Sequence, residues 1–142
     1  MAKYKIFLDR KELAKVIRGK QNQGKKVVTT NGCFDLLHVG HLRYLQEAKK
    51  LGDILLIGVN SDDSVRQLKG KKRPLIPEDE RAEMLAGMEC VDYVTVFPEL
   101  DPIPLILDLR PDIHVKGGDY TLEQLPERKA VESYGGKCVV GI

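Results

Sequence analysis

The sequence has no long hydrophobic run. Its longest apolar stretch, residues 54–59, is interrupted by Gly58 and is far shorter than the roughly 18 residues that a membrane-spanning helix needs. The first ten residues hold one short apolar stretch, residues 6–8, which Asp9 and Arg10 end, so no signal peptide is predicted. We therefore expect neither a membrane span nor secretion.

Cysteine is scarce, and neither sign of charge dominates. Cys33, Cys90 and Cys138 are odd in number and include no C-x-x-C pair, which predicts neither a disulfide framework nor a zinc knuckle. Reduced thiols are typical of the cytoplasm, where we expect this protein. Lysine and arginine total 23 against 21 acidic residues, whereas a dedicated DNA-binding protein is more often strongly basic. The one basic cluster, residues 69–73, favours a small phosphorylated ligand, and no nucleic-acid partner is expected.

Helical spacing and short apolar runs alternate along the 142 residues. Helices are predicted over residues 11–18, 39–51, 61–68, 78–88, 105–109 and 122–134, the last with Pro126 as a flaw. Strands are predicted over residues 26–30, 54–59, 91–97, 113–115 and 137–140, with loops over residues 69–77 and 98–104. Such alternation specifies a parallel sheet with helices on both faces.

The expected fold is therefore α/β: a Rossmann-like, doubly wound sheet of five parallel strands in a single domain. Residues 1–24 are predicted to form an N-terminal helix and linker, and residues 25–142 the α/β core. Unusual loops follow residues 30, 59 and 115, each at the carboxyl end of a predicted strand. Because ligands of such sheets bind at that edge, near the switch in strand order, we expect these loops to face one another there.

The segment from Thr30 to His41 follows a strand and opens a helix. A helix start offers free backbone N–H groups and the positive end of the helix dipole, which attract phosphate. His38 and His41 share a face of the first turn, and Gly40 leaves space for a phosphate. Two imidazoles there can donate hydrogen bonds to a phosphorus centre that gains negative charge.

Two other interpretations of the histidine pair compete with phosphate binding. An isolated H-x-x-H is more often two partly buried histidines bonded to carbonyl groups. Imidazole is also a common metal ligand, but zinc usually takes three or four ligands, and His114 is the only other histidine. The strand–turn–helix context favours phosphate, and we predict no metal site formed by the protein.

Residues 32–41, G-C-F-D-L-L-H-V-G-H, resemble the H-x-G-H signature of the cytidylyltransferase-like nucleotidyltransferases. The elements V-N-S-D at residues 59–62, L-K-G at 68–70, R-P at 73–74, V-D-Y-V at 91–94 and V-K-G-G-D-Y at 115–120 follow in the expected order. Together they cover nearly the whole chain. They are similar to the adenylyltransferases that make ADP-heptose, for lipopolysaccharide core synthesis, from ATP and D-glycero-D-manno-heptose 1-phosphate.

The resemblance implies an in-line displacement, in which a phosphate oxygen of the sugar 1-phosphate attacks the α-phosphorus of ATP and pyrophosphate leaves. The nucleophile is already ionised at neutral pH, so no general base is required. Positioning and charge stabilisation dominate such transfers. Mg²⁺ is expected to accompany ATP, held largely by phosphates and water.

The resemblance also implies which residues carry the reaction. His38, His41 and Lys69 are expected to be catalytic, the histidines at the α-phosphate and Lys69 on a mobile loop that closes over the ligand. The nucleotide is expected to contact Gly32, Cys33, Phe34, Asp35, Gly40, Arg81, Gly117 and Asp119. The acceptor is expected to contact Asn60, Arg73, Lys116 and Tyr120.

Some of these residues have plainer alternatives. Asp35 is expected to fix the turn and orient a histidine or lysine rather than act as a base. Arg81 either binds phosphate or forms a surface ion pair with Glu78 or Glu83. The basic cluster at residues 69–73 is either a phosphate-binding loop or a solvated surface.

The sequence departs from the family pattern at its end and in one loop. Relatives carry a glycine and then Ser-Thr-Thr at a last helix start that contacts the nucleotide phosphates; we predict that the reading frame continues beyond Ile142 with such a start. Residues 100–102 read L-D-P where relatives tend to have D-T-P. Some relatives carry a preceding sugar-kinase domain, and Met1 with the first helix predicts a stand-alone version.

Alternative functions remain open at this point. The same fold could use CTP with glycerol 3-phosphate, or ATP with flavin mononucleotide. A nucleotide-binding module without turnover is an alternative of another class, because the Ser-Thr-Thr element is missing. An exposed sheet edge and family habit predict a homodimer.

Overall fold

The computed structural model describes residues 2–118 and 120–142, which form one five-stranded sheet. The strands are β1 (Val27–Gly32), β2 (Ile54–Asn60), β3 (Tyr93–Phe97), β4 (Ile113–Lys116) and β5 (Lys137–Val140). They lie in the order β3-β2-β1-β4-β5, and every pairing is parallel. The predicted doubly wound parallel sheet is thereby confirmed.

Six α-helices of the described residues cover the sheet. They are α1 (Arg10–Asn22), α2 (Val39–Lys49), α3 (Asp62–Lys69), α4 (Glu78–Ala86), α5 (Ile103–Leu109) and α6 (Arg128–Glu132). Short 3₁₀ turns add Ala2–Lys5 and Leu122–Gln124. No described helix is long and apolar enough to cross a membrane.

Two predicted helices differ from the observed ones because of proline. The helix predicted over residues 122–134 is wrong in its first half: a 3₁₀ turn and a separate α6 flank Pro126, which lacks an N–H and disfavours helical backbone in the preceding residue. The helix predicted to begin at residue 105 begins at Ile103, because Pro104 lies in the first turn, where a missing N–H costs nothing.

Strand β2 explains how the core divides between the two faces of the sheet. Leu55 and Ile57 pack with α2 and α4 on one face, whereas Leu56 packs with α1 and α5 on the other. Every residue of β2 is buried, which is why its sequence is a continuous apolar run rather than an alternating one. A third cluster joins α5, α6 and β5.

Aspartates satisfy backbone N–H groups at the amino ends of the central strands. Asp112 accepts from the N–H of Val27, and Asp92 accepts from the N–H of Leu55, each at 2.8 Å. Free backbone donors are costly when they are buried, so these carboxylates hold the amino edge of the sheet together. The opposite, carboxyl edge is left to form the loops.

The sheet opens where the strand order switches. Strands β1 and β2 stay paired as far as Gly32 and Val59, but β1 and β4 pair only at Val28–Ile113 and Thr29–His114. The Val115 carbonyl accepts instead from the side chain of Thr30, whose Oγ1 lies 2.9 Å away. A crevice therefore separates the carboxyl ends of β1 and β4.

Candidate active site

An open cleft of ≈ 960 Å³ occupies this crevice at the switch in strand order. Its walls come from the β1–α2 turn, the start of α2, the end of α3 with the loop after it, and the turn after β4. The lining residues are Asn31, Gly32, Cys33, Phe34, Asp35, Leu36, His38, Gly40, His41, Tyr44, Lys69, Arg73, Lys116, Gly117, Gly118, Tyr120 and Ile142. The loops after residues 30 and 115 face one another as predicted, whereas the loop after residue 59 contributes no lining residue; Lys69 and Arg73 come from the end of α3 and the loop after it.

The backbone of the helix start fixes the proton positions on His38 and His41. Nδ1 of His38 accepts from the Gly40 N–H at 3.0 Å, and Nδ1 of His41 accepts from the His38 N–H at 3.2 Å. A neutral imidazole that accepts at Nδ1 carries its proton on Nε2. Each ring therefore offers Nε2–H as the donor that remains for a ligand. The ring centroids are 4.1 Å apart, close enough for both donors to serve one group.

The pKa of His41 supports the neutral form of this pair. Burial lowers the pKa of His41 below its ordinary value, and the neighbouring charge of His38 lowers it further. The Phe34 ring packs edge-on against the His41 ring, with 5.8 Å between centroids, and contributes to that burial. At neutral pH His41 is a neutral hydrogen-bond donor.

Gly40 is required for a different reason from the predicted one. A Cβ at this position would lie 2.7 Å from Cε1 and 2.9 Å from Nδ1 of His38. The missing side chain thus admits the His38 ring, which folds back over the backbone to cap the helix. The space predicted for a phosphate is occupied by this imidazole.

The turn before α2 is held in a conformation that its sequence disfavours. Phe34 has φ of 49°, in the left-handed region that bulky residues rarely adopt. Its ring packs under Gly32, where a Cβ would lie 3.1 Å from the ring. Contacts from the rest of the protein must therefore hold the turn in place.

Asp35 fixes the loop after α3 rather than a histidine or a lysine. Its carboxylate accepts from the N–H groups of Leu75 and Ile76, each at 2.9 Å, and from Arg73 at 3.1 Å. Burial would raise the pKa of Asp35, but these hydrogen bonds and the Arg73 charge lower it below its ordinary value. The expected orientation of a histidine or lysine by Asp35 is therefore wrong, and its carboxylate is already engaged rather than directed at the nucleotide.

Arg81 is the main correction to the predicted site. Its side chain is completely buried and does not line the cleft. The guanidinium donates to the carbonyls of Ile76, Cys33 and Asn60 at 2.8, 2.6 and 2.8 Å, and to the Asp62 carboxylate at 2.7 Å. The expected phosphate contact is wrong because four of the five N–H donors bind oxygens of the protein and the buried guanidinium does not reach the cleft.

The alternative surface ion pairs of Arg81 are also wrong. Glu78 instead accepts from the Asp62 N–H at 2.8 Å, and Glu83 pairs with Lys3. Arg81 thus joins the strained turn, the end of β2, the start of α3 and the loop held by Asp35. Arg81 therefore holds segments around the cleft in place without lining the cleft itself.

Asn60 also lies outside the cleft. Its side chain is buried and donates a hydrogen bond to Ser64 at 3.3 Å. The predicted contact of Asn60 with the acceptor substrate is therefore wrong. The predicted contact of Asp119 with the nucleotide falls outside the residues that the structure describes.

Three cations face the cleft from two sides. Lys69, the last residue of α3, and Arg73, in the loop after it, line one side, whereas Lys71 and Lys72 of the same basic cluster are exposed and do not line the cleft. Lys116 lines the opposite wall and lies 5.1 Å from the centroid of the Tyr120 ring. Positive charge on both walls suits a ligand with two phosphate groups.

Tyr44 is a cleft residue that the motif analysis missed. Its Oη lies 2.6 Å from Thr30 Oγ1, and its ring backs Gly117, where a Cβ would come within 2.9 Å. Tyr44 follows His41 by one helical turn, and this spacing could have placed it in the cleft. Asn31, the penultimate residue of β1, also lines the cleft and was missed too.

The cleft offers little to a metal ion. Asp35 is the one carboxylate among the described cleft residues, and its oxygens already accept from Leu75, Ile76 and Arg73. No group of three or more histidines, cysteines or carboxylates within the described residues could hold a metal. These residues fit an ion that enters with a phosphorylated ligand.

Comparison with known proteins agrees with this geometry. A profile of the cytidylyltransferase-like family matches residues 29–142. The chain is 59% identical over 125 residues to the bifunctional protein HldE of Geobacter sulfurreducens, which covers 88% of this chain and 26% of that protein. It is 57% identical over 108 residues to HldE of Helicobacter pylori, covering 76% and 23%. The chain thus spans about a quarter of the length of the curated relatives that it matches.

A solved structure extends the comparison. The crystal structure of the lipopolysaccharide core biosynthesis protein from Thermoplasma volcanium is similar to this chain, with a TM-score of 0.69 and 29% sequence identity. The similarity covers 82% of this chain and 94% of that one.

Replacing Arg81 tests whether it holds the site together. Arg81→Met leaves three carbonyls and the Asp62 carboxylate without their donor, so we expect the free energy of unfolding to fall by about 3–5 kcal/mol in urea titrations. Arg10→Met is the matched control, because Arg10 forms ion pairs with Glu99 and Asp108 far from the cleft and partly in solvent; about 1 kcal/mol or less is expected. A stable Arg81→Met protein with weakened nucleotide binding would instead support the phosphate contact.

The pKa of His41 is measurable by NMR titration of its ring protons. We expect a midpoint below 6.5, and a rise toward the ordinary value in His38→Ala that stays incomplete, because burial is the larger cause. The unfolded chain protonates His41 more readily than the folded protein does, because the pKa of His41 is lower in the folded protein. The contribution of His41 to the free energy of unfolding is therefore complete above pH 6.5 and declines as the pH falls toward the folded pKa. A midpoint above 6.5 would contradict the neutral pair.

Proposed function

The chain belongs to the cytidylyltransferase-like family, and from that premise we propose that it transfers AMP from ATP to D-glycero-D-manno-heptose 1-phosphate, releasing pyrophosphate and forming ADP-heptose. The observation that carries the proposal is the pair of Nε2–H donors at the start of α2, at the switch in strand order. The similarity to bifunctional protein HldE and to a lipopolysaccharide core biosynthesis protein supports an acceptor that belongs to lipopolysaccharide core synthesis.

The two histidines act on the α-phosphate. In the in-line displacement, a phosphate oxygen of the sugar attacks the α-phosphorus, and the bond to the pyrophosphate oxygen breaks. Negative charge grows on the oxygens around phosphorus, and Nε2–H of His38 and of His41 donate to them. The backbone already holds both rings, so little reorganisation accompanies the reaction, which is the condition under which such donors are most effective.

The cations of the cleft divide between the two substrates. Lys69 neutralises the triphosphate and the departing pyrophosphate, whereas Arg73 and Lys116, the cations expected at the acceptor, face its phosphate from opposite walls of the cleft. Bringing two anionic substrates together requires this compensation, because their phosphates repel each other at close range. Asp35 holds Arg73 and the loop backbone in position for this role.

The wall after β4 receives the nucleoside. Gly117 and Gly118 expose backbone there, and Gly118 has φ of 87°, which a residue with a side chain rarely adopts. Tyr44 supports Gly117 from behind, and Tyr120 borders the opening. We keep Asp119 as the predicted acceptor of a ribose or base hydrogen bond.

Mg²⁺ enters this proposal with ATP. When bound, it neutralises phosphate charge and favours departure of pyrophosphate. Its ligands would be phosphate oxygens and water, because the described cleft carboxylate is already engaged. We further propose a homodimer that acts in the cytoplasm, since strands β3 and β5 end the sheet and all three cysteines are free.

A substrate panel tests the reaction. ATP and CTP are each combined with heptose 1-phosphate, glycerol 3-phosphate or flavin mononucleotide in the presence of Mg²⁺, and pyrophosphate release is measured. We expect the fastest release with ATP and heptose 1-phosphate, and none after chelation of the metal. Faster turnover of CTP with glycerol 3-phosphate would overturn the acceptor assignment, and tight ATP binding with no release would indicate a binding module.

Alanine variants test the proposed donors. His38→Ala and His41→Ala should each lower kcat by roughly 10²–10³, the scale of losing one transition-state donor. ATP affinity should fall much less, because these donors act mainly on charge that develops during transfer.

Lys71, two residues after Lys69, provides a matched control for a change at Lys69. Lys69→Ala should slow turnover, whereas Lys71→Ala should not, because the Lys71 side chain lies outside the cleft. If His38→Ala and His41→Ala both kept full turnover, the proposed role of the two histidines as donors to the α-phosphate would be wrong.

A further inference from the structure

Two buried ionisable groups take no part in the proposed transfer. His114 on β4 and Glu127 before α6 have side chains that are only 1% and 4% exposed, and His114 Nε2 lies 3.6 Å from Glu127 Oε2. On its other side, His114 Nδ1 lies 2.8 Å from Thr29 Oγ1. Thr29 and His114 are hydrogen-bonded, and the Glu127 carboxylate faces His114 Nε2 across a gap slightly too long for a hydrogen bond, so the three polar groups form one row inside the protein.

This row of groups is not a second catalytic centre. Thr29 is buried, and the void beside Thr29 and His114 measures ≈ 10 Å³, about the space of one water molecule. No substrate reaches the threonine hydroxyl. The significance of the three groups lies in what they connect.

His114 and Glu127 bracket the segment that forms one wall of the cleft. Strand β4 ends at Lys116, two residues after His114, and α6 begins directly after Glu127. Between them, residues 117–126 carry Gly117, Gly118 and Tyr120, which line the cleft. The polar pair therefore closes this loop at its base, while the residues that directly follow β4 line the cleft.

Other contacts of the segment restrain it less specifically. Lys116 contacts the Tyr120 ring, and Thr121 donates to Gln124 at 2.8 Å, but both contacts are local. Leu125 packs into the cluster beside Val131, and apolar contacts are non-directional, so they tolerate sliding. A buried carboxylate is different, because a shift that separates it from its partner leaves an unpaired charge in the interior.

The charge state of Glu127 is consistent with this restraint. Burial would raise the pKa of the Glu127 carboxyl, but contact with His114 and the nearby charge of Lys116 lower it below its ordinary value. The carboxylate is therefore ionised at neutral pH. The groups that face it are His114, Lys116 and the Cys138 thiol, whose own pKa is raised to about 11, first by burial and then by the Glu127 charge.

Building on the proposed function, we propose that Glu127 is a positioning residue. Through His114 and Thr29 it fixes residues 117–126 against β4, and thereby sets the affinity of the cleft for the nucleotide. Its loss should loosen the wall of the cleft without altering the histidines at the start of α2. The expected signature is weaker ATP binding and faster amide exchange confined to that segment.

The test compares two changes at Glu127 with a matched apolar change on α6. Glu127→Ala removes the carboxylate, and we expect the Kd for MgATP to rise about tenfold, with faster hydrogen exchange in residues 117–126. Glu127→Gln keeps the length and an acceptor oxygen, so its Kd should stay within about threefold of the unchanged protein. Val131→Ala, in the same core, should lower Tm at least as much as Glu127→Ala but leave Kd and segment exchange unchanged.

Several outcomes would overturn the proposal. Glu127→Ala with unchanged Kd and exchange would show that the pair positions nothing, and Val131→Ala with an equal loss of affinity would show that general stability is responsible. If Glu127→Ala does not fold, Thr29→Val serves as the second variant, because it removes the hydroxyl that bonds to His114. We expect Thr29→Val to raise the Kd for MgATP about threefold.

The readouts separate this proposal from the proposed reaction. If the unchanged protein binds ATP but forms no ADP-heptose, the acceptor assignment fails and the role of Glu127 is still decided by Kd and exchange. If it binds no ATP, the nucleotide assignment fails, and exchange alone decides: faster exchange in Glu127→Ala than in Val131→Ala supports positioning, and equal exchange overturns it.

Discussion

The buried guanidinium of Arg81 is the interaction on which the shape of the cleft depends. It donates to three backbone carbonyls and one carboxylate that belong to separate parts of the chain. A charge without access to water must have such partners, and these partners must stay where the charge is. The Arg81 guanidinium therefore fixes the strained turn at Phe34. The turn then fixes the start of α2, with its two histidines.

The site thus rests on two layers of polar contacts. The cations and the two histidines offer charge or N–H donors to a ligand, whereas Arg81, Asp35 and Tyr44 make their hydrogen bonds within the protein. The carboxylates at the amino ends of the strands hold the opposite edge of the sheet. Rigidity is concentrated in this framework, and the ligand-facing side chains are left free to bind.

Local patterns in the sequence were sufficient for the sheet and for most of the residues that face the cleft, although Tyr44 and Asn31 were missed. The buried run of β2, the glycine turns and the spacing of His38 and His41 are local signals, and the structure places each of them as predicted. Arg81, Asn60 and Gly40 were assigned wrong contacts because their roles arise from groups that only the fold or a side-chain rotamer brings close. Nothing near Arg81 in the sequence indicates that Cys33, 48 residues earlier, will accept its hydrogen bond.

The narrow seam between β1 and β4 gives ligand binding a mechanical consequence. Only two residue pairs are in strand register between β1 and β4, where the half of the sheet with β1, β2 and β3 meets the half with β4 and β5. A molecule that touches the start of α2 and the turn after β4 bridges this seam and supplies cross-links that the backbone lacks. Because it does so only in the folded protein, part of its binding energy holds the two halves together. The substrate thus becomes, while it is bound, a structural element of the sheet.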